Sequence, residues 1–132
     1  MTVAHWCLLV ACVLPIACAG IAKAGMFAVS PRHGGYDNRD PRAWLARQTG
    51  YRARANAAQS NSFEALPLFV AAVLVAHQVQ GERLLVDGLA LGFVVLRVVY
   101  IALSLAARAA ARTAVWTLGY AVCVAIFLSP LL

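Results

Sequence analysis

Four long, continuous apolar stretches constrain this chain more than any other feature. They cover about residues 3–27, 63–79, 84–107 and 113–131. Each has at least the roughly 17–25 residues that a membrane-spanning helix needs, the second only when its polar first turn is counted. With 63% hydrophobic and 12% charged residues among 132, the chain has too little polar surface for a soluble domain of this size. We therefore expect one all-α domain over residues 1–132, folded in the membrane as a bundle of four transmembrane helices.

Arginines are concentrated on one side of this predicted bundle. The connection over residues 28–56 carries Arg32, Arg39, Arg42, Arg47, Arg52 and Arg54. The connection between the third and fourth spans adds Arg108 and Arg112, whereas the opposite side offers only Arg83 beside Glu82. By the positive-inside rule both arginine-rich connections are expected in the cytoplasm and both termini outside. The net charge of +6 is then a topology signal, and nucleic-acid binding is not expected, because stacking aromatics do not interleave the arginines.

The first connection contains a helix-start signature. Asp40 precedes Pro41, which suits an N-cap followed by proline at the first helical position. A short surface helix over residues 41–49, ended by Gly50, would place Trp44 toward the membrane as an interfacial anchor. Its arginine-rich face is expected to meet lipid phosphates, and the alternative is that it helps to hold an anionic ligand.

Residues 54–69 combine a polar, arginine-led helix with the start of the second span. At about 100° per residue, one helical face carries Arg54, Ala57, Asn61, Glu64 and Leu68. A carboxylate at the mouth of a membrane span is costly unless it faces protein or a wet cavity. Glu64 is therefore either a structural partner of an arginine on a neighbouring helix, or a ligand-binding group, or both.

The third span carries a second polar face, with Arg97, Tyr100, Ser104 and Arg108 at helical spacing. Arg97 lies near mid-span, where an unpaired cation is costly. Antiparallel packing of the second and third helices predicts an Arg97–Glu64 pair. The same residues predict a polar pocket open to the cytoplasm, lined by Asn61, Glu64, Arg97 and Tyr100. This pocket would suit a small zwitterionic or anionic molecule whose apolar co-substrate arrives from the bilayer.

The cysteines and the remaining polar residues that could bind a metal are expected to have structural roles. The four cysteines lie within predicted spans without metal or redox spacing, so they are expected to act as small apolar packers. His5, His77 and Asp87 are expected to cluster near the outer helix ends as interfacial residues. No metal site is predicted.

The spacing Ala58, Asn61, Glu64 and Pro67 at the start of the second helix resembles the signature of the MAPEG family. That family comprises membrane-associated proteins in eicosanoid and glutathione metabolism, including the microsomal glutathione transferases. The likeness continues more loosely through Arg97 and Tyr100 to Arg112, Thr113 and Trp116, and looks most like the small bacterial branch. It implies a four-helix homotrimer in the bacterial inner (plasma) membrane, with glutathione as co-substrate between subunits on the cytoplasmic side.

The resemblance assigns glutathione contacts to Asn61, Glu64, Arg97 and Tyr100. The family's arginine seven residues before the glutamate is Ala57 here, and Arg54, one turn earlier, is the candidate substitute. A second tyrosine of the family appears as Ser104. The thiol-activating arginine is represented by Arg112, with Arg108 as the alternative, and Tyr100 is the second catalytic candidate.

These residues predict a membrane-embedded, glutathione-dependent transferase or peroxidase-like protein. It would activate the glutathione thiol against a lipophilic electrophile from the bilayer. The alternative is a non-catalytic protein of the same fold that binds lipids or a partner protein. A third hypothesis is a small proton-coupled exporter that uses Glu64 as its exchange carboxylate.

Overall fold

A computed structural model describes residues 1–131 and places five α-helices in that range. They are α1 (Val3–Lys23), α2 (Pro41–Ala46), α3 (Gly50–Gln78), α4 (Arg83–Leu105) and α5 (Ala109–Leu128). Within the described residues, α1, α3, α4 and the helical segment Ala109–Leu131 are long and apolar enough to cross a membrane. The predicted all-α, four-span membrane fold is confirmed.

The four long helices form one bundle, with α1 against α3 and α4, and α5 against α4 and α3. Small side chains fill much of the core, among them Ala4, Ala72 and Ala90, each with no exposed surface. Small residues let helix backbones approach closely, which is how helices associate where lipid removes the hydrophobic driving force. At the centre, the rings of Phe69 and Phe93 stack with centroids 4.0 Å apart.

Several helix ends differ from the sequence-based boundaries. Helix α1 ends at Lys23 rather than near residue 27, because Gly25 takes a left-handed φ of 76° that a right-handed helix excludes. Helix α5 begins at Ala109, earlier than the predicted residue 113. It gives way at Leu128 to a 3₁₀ turn over Ser129–Leu131.

The surface helix forms, but the predicted role of Trp44 is wrong. The Asp40 carboxylate caps the helix by accepting a hydrogen bond from the Ala43 N–H, as expected. Trp44 is only 2% exposed: its indole N–H donates to the Gly34 carbonyl, and its ring meets Tyr36 edge-on. The Trp44 ring is therefore packed inside the loop and is not an exposed interfacial anchor. Gly50, predicted to end this helix, instead begins α3.

The arginine-rich loop is also held by local polar contacts. The backbone N–H of Arg39 donates to the Asp37 carboxylate, and this bond lowers the pKa of that carboxyl below its ordinary value. The Arg52 guanidinium donates to the Ala22 carbonyl over 2.9 Å, so it satisfies an acceptor in the last turn of α1. The Arg52 bond therefore ties the start of α3 to the last turn of α1.

At the opposite end of the bundle, a tight turn joins α3 to α4. Gly81 donates its N–H to the Ala76 carbonyl over 2.8 Å. A Cβ on Gly81 would lie 3.0 Å from that same oxygen and 3.3 Å from the Pro130 ring, so close approach requires glycine. The left-handed residue of the turn is Gln80, with φ 58°.

The predicted clustering of His5, His77 and Asp87 at one end of the bundle is confirmed. The rings of His5 and His77 lie 4.5 Å apart, and the Thr2 hydroxyl lies within 3.0 Å of a ring nitrogen of each. The Asp87 carboxylate accepts a 2.7 Å hydrogen bond from the Ala4 N–H in the first turn of α1. This cluster joins the start of α1, the end of α3 and the start of α4.

Candidate functional site

Arg97 is the central residue of the candidate site. It lies in α4 on the face that also carries Tyr100 and Ser104, and all three are buried at helical spacing. Its side chain is 4% exposed, and its Nη2 donates hydrogen bonds of 3.0 Å to the Asn61 Oδ1 and of 3.0 Å to the Ser62 hydroxyl of α3. The guanidinium carbon lies 4.3 Å from the centroid of the Tyr100 ring, which adds a cation–π contact.

The predicted Arg97–Glu64 ion pair does not form. Within the described residues, the two ion pairs closer than 4.0 Å are Arg39–Asp37 and Arg83–Asp87. Arg97 takes neutral oxygens instead, because Asn61 and Ser62 point at α4 whereas the Glu64 side chain is exposed. The site therefore holds a buried cation supported by uncharged acceptors.

Glu64 and Arg97 nevertheless line the same cavity, which we call the Arg97 cleft. This cleft of about 170 Å³ lies between α3, α4 and α5. Its polar part consists of Asn61, Glu64 and Arg97, and its aromatic part of Phe93, Trp116 and Tyr120. A charged end beside an aromatic end suits a ligand that is polar at one end and apolar at the other.

A second cavity of about 220 Å³, the Arg112 cleft, adjoins the first. Its lining residues are Asn61, Tyr100, Arg112, Thr113 and Trp116. Asn61 and Trp116 line both clefts, so the two cavities are neighbours. The structure thus gathers Asn61, Glu64, Arg97, Tyr100 and Arg112 around one region of the bundle.

Arg54 is placed differently from the other predicted site residues. Its Nε donates to the Leu105 carbonyl over 3.1 Å, at the end of α4, and it lines neither cleft. Ser104, which stands where the resemblance implies a tyrosine, donates its hydroxyl to the Tyr100 carbonyl within its own helix. Arg108, the alternative to Arg112, also lies outside the lining of both clefts.

The aromatic part of the Arg97 cleft was not predicted from the sequence. Phe93 falls within an apolar span, and Trp116 enters only through the family resemblance, without a role in the site. Trp116, Tyr120 and Cys123 follow at spacings of four and three on α5, which places them on one helical face. This spacing could have indicated a shared helical face. Within an apolar span, however, it does not show whether that face lines a cleft or contacts lipid. Cys123 is 1% exposed, in line with its predicted role as a small packer, yet it also borders the cleft.

The fold and the two clefts define an integral membrane protein with four spanning helices and a polar site among three of them. The MAPEG family model matches residues 3–132, essentially the whole chain, so this protein belongs to the MAPEG family. No curated protein and no solved structure matches the chain. Family membership associates the protein with glutathione-related function at a membrane.

Proposed function

We propose that this protein binds glutathione on the cytoplasmic side of the membrane and activates its thiol against a lipophilic electrophile. The observation that carries the proposal is Arg97, a buried cation held by Asn61 and Ser62 at a cleft that also presents Glu64. Glutathione has two carboxylates and one ammonium group. A site with two arginines and one glutamate complements those charges, and arginine contacts to carboxylates add directional geometry.

The proposed glutathione contacts are Arg54, Asn61, Glu64, Arg97 and Tyr100. Glu64 would take the ammonium group, and Arg97 would take one carboxylate. Arg54 would have to exchange the Leu105 carbonyl for the second carboxylate. The proposal thus requires a local rearrangement at the end of α4.

We assign thiol activation to Arg112 and Tyr100, which line one cleft with Asn61. A free thiol has a pKa of about 8.5, and a cation or hydroxyl donor beside the sulfur favours the thiolate. The thiolate would attack an electrophilic carbon, and the leaving group would depart with its bonding electrons. With a lipid hydroperoxide, two glutathione molecules would instead yield glutathione disulfide, an alcohol and water.

The proposed assembly is a homotrimer in which a neighbouring subunit completes the site. Glu64 is exposed in a single chain although it lies on a membrane-spanning helix. A carboxylate facing lipid costs about 2.5–3.5 kcal/mol at mid-span on insertion scales and less near the interface, where Glu64 lies at the start of the apolar part of α3. A second copy over this face would remove the exposed carboxylate from lipid and so stabilise the protein. The proposal of three subunits, rather than another number, comes from the family resemblance.

A non-catalytic role within the same fold is the alternative, and one observation favours it. Ala57 and Ser104 replace two family side chains, and Arg54 and Ser104 are both engaged with backbone carbonyls. A site with these departures could bind a lipid or a partner protein and lack turnover.

Calorimetric titration of the purified protein with glutathione tests the proposal directly. Binding that Asn61→Ala weakens would support it, and conjugation of a lipophilic electrophile would then separate the enzyme from the non-catalytic alternative. No binding at millimolar glutathione would contradict the proposal. A pH gradient dissipated by substrate in vesicles would instead indicate the exporter.

A further inference from the structure

A third cavity lies apart from both clefts, between the surface helix α2 and the polar half of α3. Its volume is about 340 Å³. The lining residues are Arg42 and Leu45 from α2, and Asn56, Gln59, Ser60 and Phe63 from α3. None of these residues lines the Arg97 or Arg112 cleft, so the α2–α3 cavity is a separate feature.

We expect the α2–α3 cavity to lie at the depth of lipid head groups. Phe63, which is 49% exposed, begins the apolar part of α3. Asn56 is seven residues earlier, about 10 Å farther along the helix axis. The head-group layer of each leaflet is roughly 5–8 Å thick, so Gln59 and Ser60, one turn beyond Phe63, are expected at its level.

The lining of the cavity complements a phosphate group. Arg42 is exposed, and the residues that join it in the cavity wall are either neutral hydrogen-bonding groups or apolar. No carboxylate is among the described side chains that line the cavity, so the charge of Arg42 is not neutralised there. Leu45 and Phe63 supply an apolar edge on which acyl chains can lie.

The side chain of Gln59 indicates that a ligand of this cavity carries a hydrogen-bond donor. Its Oε1 is buried and, among residues 1–131, has no hydrogen-bond partner. An unpaired buried amide oxygen is unfavourable in a folded protein. Because the terminal torsion of glutamine is broad, a small rotation of the amide turns this oxygen toward a donor in the cavity.

We propose that the α2–α3 cavity binds the head group of a membrane phospholipid that carries both a phosphate and a hydrogen-bond donor. The phosphate lies against Arg42, and an ammonium or hydroxyl group of the same head group donates to the Gln59 Oε1. The acyl chains leave past Leu45 and Phe63 into the bilayer. Phosphatidylethanolamine and phosphatidylglycerol both meet this description, whereas phosphatidylcholine has the phosphate without the donor.

Native mass spectrometry of the full chain in detergent can measure this preference. The protein is titrated with phosphatidylethanolamine, phosphatidylglycerol and phosphatidylcholine that share identical acyl chains. We expect tighter binding of one or both donor-bearing lipids than of phosphatidylcholine. Gln59→Leu should remove the difference between the lipids and leave phosphatidylcholine binding unchanged.

Arg42→Ala should weaken binding of all three lipids by about fivefold, the effect of one arginine at a membrane surface. Arg47→Ala is the matched control: it removes the same charge at the end of the same helix, outside the cavity. Equal losses from Arg42→Ala and Arg47→Ala would overturn the proposal in favour of a diffuse basic surface. So would equal affinity of the unmodified protein for all three lipids.

Two competition experiments separate the lipid from other anions. Millimolar inorganic phosphate should not displace the lipid, and displacement would mean that the cavity is a site for free anions. Glutathione should not displace it either, and displacement would mean that the cavity belongs to the glutathione site. Either displacement overturns the proposal.

Discussion

The Nη2 of Arg97 donates a 3.0 Å hydrogen bond to the Oδ1 of Asn61, a residue 36 positions earlier on the neighbouring helix. Asn61 and Ser62 orient the guanidinium without neutralising it, because both acceptors are uncharged. An ion pair with Glu64 would have neutralised the positive charge of Arg97. The arrangement therefore leaves a fixed, buried cation beside a cleft, where it can attract an anionic group of a ligand.

The first prediction concerns the energy of this contact. A double-mutant cycle of Asn61→Ala with Arg97→Leu should give a coupling free energy of about 1.5–3 kcal/mol, the range for a hydrogen bond to a charged group. The quantity is the free energy of unfolding in detergent. The parallel cycle of Glu64→Ala with Arg97→Leu is the control and should give a much smaller coupling. A larger coupling for Glu64 would mean that the carboxylate, after all, is the partner of Arg97.

The second prediction concerns Arg54. Arg54→Ala should weaken glutathione binding by about 1.5–3 kcal/mol, because a charge-assisted contact to a carboxylate is lost. Arg42→Ala, in the α2–α3 cavity, should leave glutathione affinity unchanged. Calorimetric titration of both variants measures this. If Arg54→Ala lowers stability but not affinity, Arg54 serves only to hold the Leu105 carbonyl at the end of α4.

The third prediction concerns Asp87, at the end of the bundle where α1 and α4 begin. Asp87→Ala should lower the free energy of unfolding by about 1–3 kcal/mol, because the Ala4 N–H loses its acceptor. Arg83→Ala should cost less than about 1 kcal/mol, since the Arg83–Asp87 pair is 3.7 Å apart and its arginine side chain is 68% exposed. Equal losses from the two variants would show that the ion pair, and not the backbone contact, stabilises this end.

The fourth prediction concerns orientation. The arginine distribution predicts that both termini and the α3–α4 turn lie outside. Reporter proteins fused after Val79 and after Leu132 should both give an external signal. A cytoplasmic signal from the fusion after Leu132 would rule out this four-span topology.

The spanning helices were predictable because hydrophobic length is a local property of the sequence. Asp40 as an N-cap was also predictable, since the cap and the N–H it binds are three residues apart. The contacts of Trp44 were not, because Gly34 and Tyr36 reach it only through the fold of the loop. A tryptophan next to a membrane has the same local pattern whether it faces lipid or its own chain.

In the candidate site, too, contacts between distant residues could not be predicted from local sequence. Helical spacing correctly grouped Arg97 with Tyr100 on a buried face of α4. The choice of Glu64 over Asn61 as the partner of Arg97 was wrong, because these two residues are less than one turn apart on α3 and helical spacing alone does not distinguish them. A small rotation of α3 about its axis decides which side chain faces α4, and that rotation is set by packing of the whole bundle.

Helix α3 has a consequence for how the protein sits in its membrane. Its apolar part, from Phe63 to Gln78, is about 23 Å long, whereas α1 spans about 31 Å and matches a hydrocarbon core of about 30 Å. A helix whose apolar part is shorter than the hydrocarbon core is accommodated by thinning of the bilayer, by flanking polar side chains that reach the interface, or by oligomerisation. Thinning of the leaflet around α3 would bring head groups and water toward Glu64, which follows Phe63 at the start of the apolar part. The acyl-chain length of the surrounding lipid would then influence how wet the polar end of the Arg97 cleft is.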